Sequence, residues 1–148
     1  MKKHIFLLFL FLSGRSMAQT TKEASTSTLP KAQVAESKQS VTLDGKVIPL
    51  LAKAGTMELK DENNRPIALF GFTAYFKENP EKNRPIVFAF NGGPGSASVW
   101  MHVAYTGPRI LNIDDEGYPV QPYGYKSNPN SIIDVADIVF VNPVNTGY

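Results

Sequence analysis

Between Ile86 and Trp100 an apolar run, Ile-Val-Phe-Ala-Phe, stops at Asn91 and gives way to Gly92-Gly93-Pro94-Gly95-Ser96-Ala97-Ser98 before helix-compatible residues resume. A short, unbroken apolar run bounded by Gly and Pro reads as a buried strand that ends in a loop. Glycines carry no Cβ, so their backbone can approach a ligand closely and turn N–H groups toward it. A loop at the C-terminal end of a strand is also where open α/β sheets bind ligands. Asp137-Ile-Val-Phe-Val-Asn142 repeats the pattern, again followed by Pro, Asn and Gly. Apolar runs without alternation belong to strands buried on both faces, as central parallel strands are.

Upstream the pattern is different. Ser40–Leu43 and Lys46–Leu50 flank Asp44-Gly45, a two-residue hairpin signal. Thr56–Lys60 alternates apolar and polar residues, and Pro66–Lys77 is a long run of β-formers beyond the polar turn 61–65. Residues 97–105 suit a short helix stopped by Gly107-Pro108, and Arg109–Ile113 reads as extended. Residues 119–129 read as irregular, and residues 131–136 as a helical turn capped at Asn130 or Ser131. The predicted fold class is α/β, with antiparallel strands leading into parallel ones. A further helix and parallel strand are expected beyond residue 142, so the chain reads as the N-terminal portion of such a sheet.

At the N-terminus, Met1-Lys2-Lys3-His4 precedes an apolar run from Ile5 to Leu12, and Ser16-Met17-Ala18 places small residues where a signal peptidase reads them. The run is far short of the roughly 20 residues a membrane span needs. Residues 1–18 are therefore predicted to be a cleaved signal peptide, with no membrane span afterwards and a periplasmic or extracellular destination. Cleavage removes Lys2, Lys3 and Arg15 with no acid, turning the formal charge of +2 into −1. No basic stripe remains to track phosphates, so nucleic acid is not an expected partner. Residues 19–38 are rich in Ser, Thr, Lys, Glu and Ala and read as a linker, with weak helical character from residue 26. The domain is predicted over 39–148.

The glycine loop invites several chemistries, and the residues remove most of them. A phosphate loop needs G-x-x-x-x-G-K-[ST], yet no Lys or Arg lies between Arg84 and Arg109. The dinucleotide pattern G-x-G-x-x-G lacks its third Gly. Ser96 and Ser98 occupy a tempting position, but no G-x-S-x-G elbow occurs in the 148 residues. His102 is the one His left after residue 18, and alone on a helix it reads as a packing or surface residue. With no Cys and no ligand spacing among His and Asp, neither a metal nor a cofactor is expected. Two readings of the loop remain open: a set of backbone N–H donors for an oxyanion, or a tight turn and nothing more.

Taken together, Asn91-Gly-Gly-Pro-Gly-Ser-Ala-Ser98, Gly107-Pro108, Asn128-Pro129 and Asp137-Ile-Val-Phe-Val-Asn-Pro-Val-Asn-Thr-Gly-Tyr148 resemble the serine carboxypeptidase family. Its members carry N-G-G-P-G-x-S-S, a following G-P, an N-P before a short helix, and a strand ending D-x-P-x-x-x-G-[FY]. The resemblance covers residues 40–148, and the upstream strands resemble bacterial members. It implies an α/β-hydrolase fold and release of C-terminal residues from peptide substrates through an acyl-enzyme. It further implies that the Gly93 N–H is an oxyanion donor, while the Asn91 side chain and the Gly92 N–H bind the substrate's C-terminal carboxylate. The chain departs from the family at Ala89, where a Trp is frequent, at Tyr105, where many eukaryotic members have Glu, and around Asn142, where the motif carries an Asp just ahead of its Pro and this chain has none. These departures bear on pH preference and carboxylate recognition. The family's G-E-S-Y-[AG]-G elbow, its Asp and its His are absent, so the chain alone is expected to be inactive. A secreted β-rich binding module, or an acyltransferase or pseudoenzyme on the same fold, are the alternatives.

Overall fold

A computed structural model describes residues 29–92 and 95–147. The predicted signal peptide, the first part of the linker and Gly93 lie outside the described residues. Among the described residues seven strands form: β1 (Val34–Leu43), β2 (Lys46–Lys60), β3 (Pro66–Lys77), β4 (Ile86–Ala89), β5 (Arg109–Leu111), β6 (Tyr125–Ser127) and β7 (Asp137–Asn142). Five make one mixed sheet in the order β1-β2-β3-β7-β4, and β5 pairs with β6 in a small second sheet. β1 to β3 form an antiparallel meander, β3 and β7 are antiparallel, and β7 and β4 are parallel. This is a mixed α/β arrangement of the kind found in the N-terminal portion of an α/β-hydrolase.

Local chemistry accounts for the meander. Asp44 and Gly45 both take positive φ, +47° and +74°, as the tight turn matching the twist of two paired strands requires. At the β2–β3 connection the Asp61 carboxylate accepts from the Asn63 and Arg65 backbone N–H groups, each at 2.9 Å, and from the Arg65 guanidinium. The Arg65 N–H, with the other donors, holds that carboxyl below its ordinary value. Two expectations change. β1 starts at Val34, so the end of the 19–38 stretch belongs to the sheet and is extended rather than helical. Residues 46–50 and 56–60 are parts of one strand, which Pro49 does not interrupt. Pro49 turns its carbonyl to the Glu78 N–H (2.9 Å), beyond the end of β3, where no ladder bond needs the missing donor.

From β4 the chain crosses one face of the sheet and returns as β7, between β3 and β4. The crossover contains a helical segment with a π-turn over Met101–Thr106, the β5–β6 hairpin and a single 3₁₀ turn over Ile132–Asp134. The Ser131 side chain caps that last turn by accepting from the Ile133 N–H. Beneath the crossover lies the core: Val41, Leu43, Ile48, Leu50, Ile133, Ile138 and Phe140, with Tyr75, Ala89, Met101 and Ile132 packed against it. The return is anchored by Arg84. Its guanidinium donates to Asp137 (2.9 Å) and to the carbonyls of Asp134 (2.9 Å) and Ile133.

The other face is different. Register places Lys53, Ala74, Val139 and Phe88 in one row across four strands, on the side away from the crossover. Together with Met57, Phe70, Phe72, Phe76, Ile86 and Val141 they line an apolar groove that no described residue covers. β4, read from sequence as buried, is consequently open, with Phe88 63% exposed. β7 is largely buried, as its apolar run indicates. Among the described residues no helix is long and apolar enough to cross a membrane.

Candidate active site at the ends of β4 and β7

The parallel ladder runs from Ile86 opposite Asp137 to Ala89 opposite Phe140 and then stops. Beyond it the strand ends carry the two loops that the sequence singles out. Asn91 and Gly92 lie just past β4, and Asn142 is the last residue of β7. The structure thus brings Asn91 and Gly92 together at a strand end. Gly93 cannot be placed beside them, since it lies outside the described residues. Gly92 is exposed, and among the described residues the Asn91 side-chain amide makes one long contact, 3.4 Å, to the Gly92 carbonyl. That weak bond is one a carboxylate acceptor readily replaces.

Ser98 sits behind the loop and is 1% exposed. Its hydroxyl donates to the Val141 carbonyl and accepts the Asn91 N–H at 3.3 Å. Its own N–H donates to the Asn142 side-chain oxygen at 2.8 Å. A buried hydroxyl whose proton is given to a carbonyl is no nucleophile, in agreement with the missing elbow. A small cavity of about 210 Å³ adjoins it, lined among others by Thr73, Ser98, His102 and Asn142.

His102 follows one turn later, its N–H bonded to the Ser98 carbonyl (2.9 Å). The ring stacks on Phe140 at 4.7 Å and its Nε2 meets the Tyr75 hydroxyl at 2.7 Å. Burial holds the imidazole below its ordinary value of 6.5, and the same burial raises the Tyr75 phenol above its usual 10.0. His102 is a packed ring with a phenol partner, the packing role its isolation suggested.

Behind the helical turn the Gly-Pro and Asn-Pro motifs form a single unit. A Cβ on Gly107 would lie 1.9 Å from the His102 carbonyl oxygen, so only glycine fits where the π-turn closes. Asn128, 1% exposed, donates its amide to the carbonyls of Tyr105 and Gly107, both at 2.8 Å. Ser131 donates its hydroxyl to the Thr106 carbonyl (3.1 Å). These side chains occupy the backbone acceptors left at the end of the turn. Sequence reasoning missed the positions of Ser98, Asn128 and Asn142 as hydrogen-bond hubs. Their only signal was membership in the motifs.

A profile of the serine carboxypeptidase family matches residues 45–148. The chain belongs to that family. Among curated relatives of this serine carboxypeptidase segment, "Carboxypeptidase Y homolog A" of Emericella nidulans is 36% identical over 90 residues, covering 60% of this chain and 14% of the relative. "Carboxypeptidase Y" of Schizosaccharomyces pombe is 30% identical over 95 residues, covering 64% of this chain and 8% of the relative. The matched segment therefore spans a small part of the length of either relative.

Proposed function

We propose that residues 39–148 supply the substrate-carboxylate and oxyanion loop of an exported serine-type carboxypeptidase. The carrying observation is the position of Asn91 and Gly92 at the open end of β4, beside the end of β7, within the family-matched region. In this reading the Asn91 amide and the Gly92 N–H grip the C-terminal carboxylate of a peptide by hydrogen bonds to its charged oxygens. The Gly93 N–H stabilises the charge that develops on the scissile carbonyl as serine attacks, a contribution of about 10²–10³ in rate for one donor. The role of Gly93 rests on its place in the motif.

No G-x-S-x-G elbow occurs in the 148 residues, so the nucleophile, its base and the orienting acid come from residues outside them. The 148 residues alone are inactive in this reading, and the upstream strands are those of a bacterial-type member. Residues 1–18 direct export, and a mature chain beginning at Gln19 is the expected result of N-terminal sequencing.

The test uses the complete translated protein and N-blocked dipeptides. Release of the C-terminal amino acid from free-acid substrates, in strong preference to amidated ones and blocked by a serine-directed fluorophosphonate, is expected. Hydrolysis indifferent to the C-terminal carboxylate, or no hydrolysis, overturns the proposal.

A further inference from the structure

Ser98 and Asn142 have no assigned part in the reaction, yet they occupy the point where the sheet opens. Up to Ala89, β4 and β7 are joined by direct backbone bonds. One step further the Asn91 N–H no longer reaches across to β7. It meets the Ser98 hydroxyl at 3.3 Å, and that hydroxyl in turn donates to the Val141 carbonyl of β7. A single side-chain hydroxyl has been inserted into a rung of the ladder, in the order N–H, O–H, C=O.

A rung lengthened this way spreads the two strand ends and fixes how far they spread. The hydroxyl can do this only if Ser98 itself is immobile. Burial and the bond from its N–H to the Asn142 side-chain oxygen, 2.8 Å, supply that constraint. Asn142 lies between two glycines: a Cβ added to Gly71 or Gly147 would sit 3.5 Å from its amide nitrogen, in ordinary contact. The chain Asn142–Ser98–Asn91 thus links the end of β7 to the loop after β4.

We propose that Ser98, locked by Asn142, is a positioning residue that sets the Asn91 backbone, and with it the Asn91 and Gly92 donors, for the carboxylate of a peptide substrate. The inference rests on the carboxypeptidase reading for its functional half and on the hydrogen bonds alone for its structural half. Ser98 has no contact with substrate in this scheme. Asn142 needs only an acceptor oxygen, so an Asp in its place serves as well, and better as a charge-assisted acceptor.

The experiment compares the complete translated protein with its Ser98→Ala, Asn142→Ala and Asn142→Asp variants. Two quantities are read: the ratio of kcat/KM for a free-acid dipeptide to that for its amide, and hydrogen exchange at the Asn91 amide. Ser98→Ala is expected to lower the ratio about tenfold or more, because small misplacement of a binding group is costly. Exchange at Asn91 should accelerate with it. Asn142→Ala should act in the same direction and covers the case in which Ser98→Ala fails to fold. Asn142→Asp should restore both quantities to within about twofold of the parent, since the acceptor is kept. A folded Ser98→Ala or Asn142→Ala protein with unchanged ratio and unchanged exchange overturns the latch. So does an Asn142→Asp protein that behaves like Asn142→Ala. An inactive parent overturns the carboxylate role, while exchange at Asn91 still decides whether the latch exists.

Discussion

The two faces of the five-stranded sheet are built from the same strands and end in opposite states. Ala52, Tyr75, Ile138 and Val87 form one row, and the crossover packs over this side. Lys53, Ala74, Val139 and Phe88 form the adjacent row, facing the groove without cover among the described residues. β4 and β7 carry apolar side chains on both sides, the pattern of strands buried twice. The covered face shows that a crossover of modest length can complete a core. The bare face shows that an apolar strand composition does not by itself bring cover, since no described residue packs over it.

The contrast can be broken most directly by cutting what holds the covered face in place. Asp137→Ala leaves the nearly buried Arg84 guanidinium with only the exposed Glu81 carboxylate at 3.6 Å, and removal of one partner of a buried pair costs about 3–5 kcal/mol. Urea unfolding of the parent and variant chains measures it, and a loss under about 1 kcal/mol would mean that the crossover is not anchored there. Phe140→Ala, on the same face, should cost about 3–5 kcal/mol, whereas Phe88→Ala in the 148-residue chain should cost under about 1 kcal/mol. Equal losses would show that something covers the second face after all. Asn128→Ala leaves the Tyr105 and Gly107 carbonyls without their donors, and about 1–3 kcal/mol should be lost with no change on the bare side.

The smallest expected effect is a pH dependence confined to the covered face. Burial places the folded-state value of His102 below its unfolded value of 6.5, so as pH falls past 6.5 the unfolded chain binds the proton first. Stability is therefore lost as pH drops from 6.5 toward the folded value. His102→Phe should flatten that part of a melting-temperature profile, while an unchanged slope would place the titration elsewhere.

Much of the sheet was legible because its signals are local. β3 and β7 fall on the predicted runs, Asp44-Gly45 turns as expected, and Ser131 caps its turn. β1 was misread at its start because residues 34–40 are exposed on an edge. There the backbone pairs with β2 while the side chains stay polar, so no periodicity betrays the strand. β6 was hidden in a Pro-rich segment for the same reason, being three residues long and mostly exposed. At the site, the glycine loop stands out by its composition, while the roles proposed for Asn91 and Gly92 come from the family resemblance. The function of Ser98 could not, because its partner Asn142 lies 44 residues away and only the parallel pairing of β4 with β7 makes them neighbours.

The insertion of β7 between β3 and β4 also dictates an order of events during synthesis. The β1–β2 and β2–β3 pairings of the meander lie wholly within residues 34–77 and can form while the ribosome is still translating the rest. β4 emerges with no strand to join, since the neighbour that links it to the sheet is made only at residues 137–142. Throughout that interval Ile86–Phe90 is an apolar, unpaired edge, the kind of segment that chaperones shield from association.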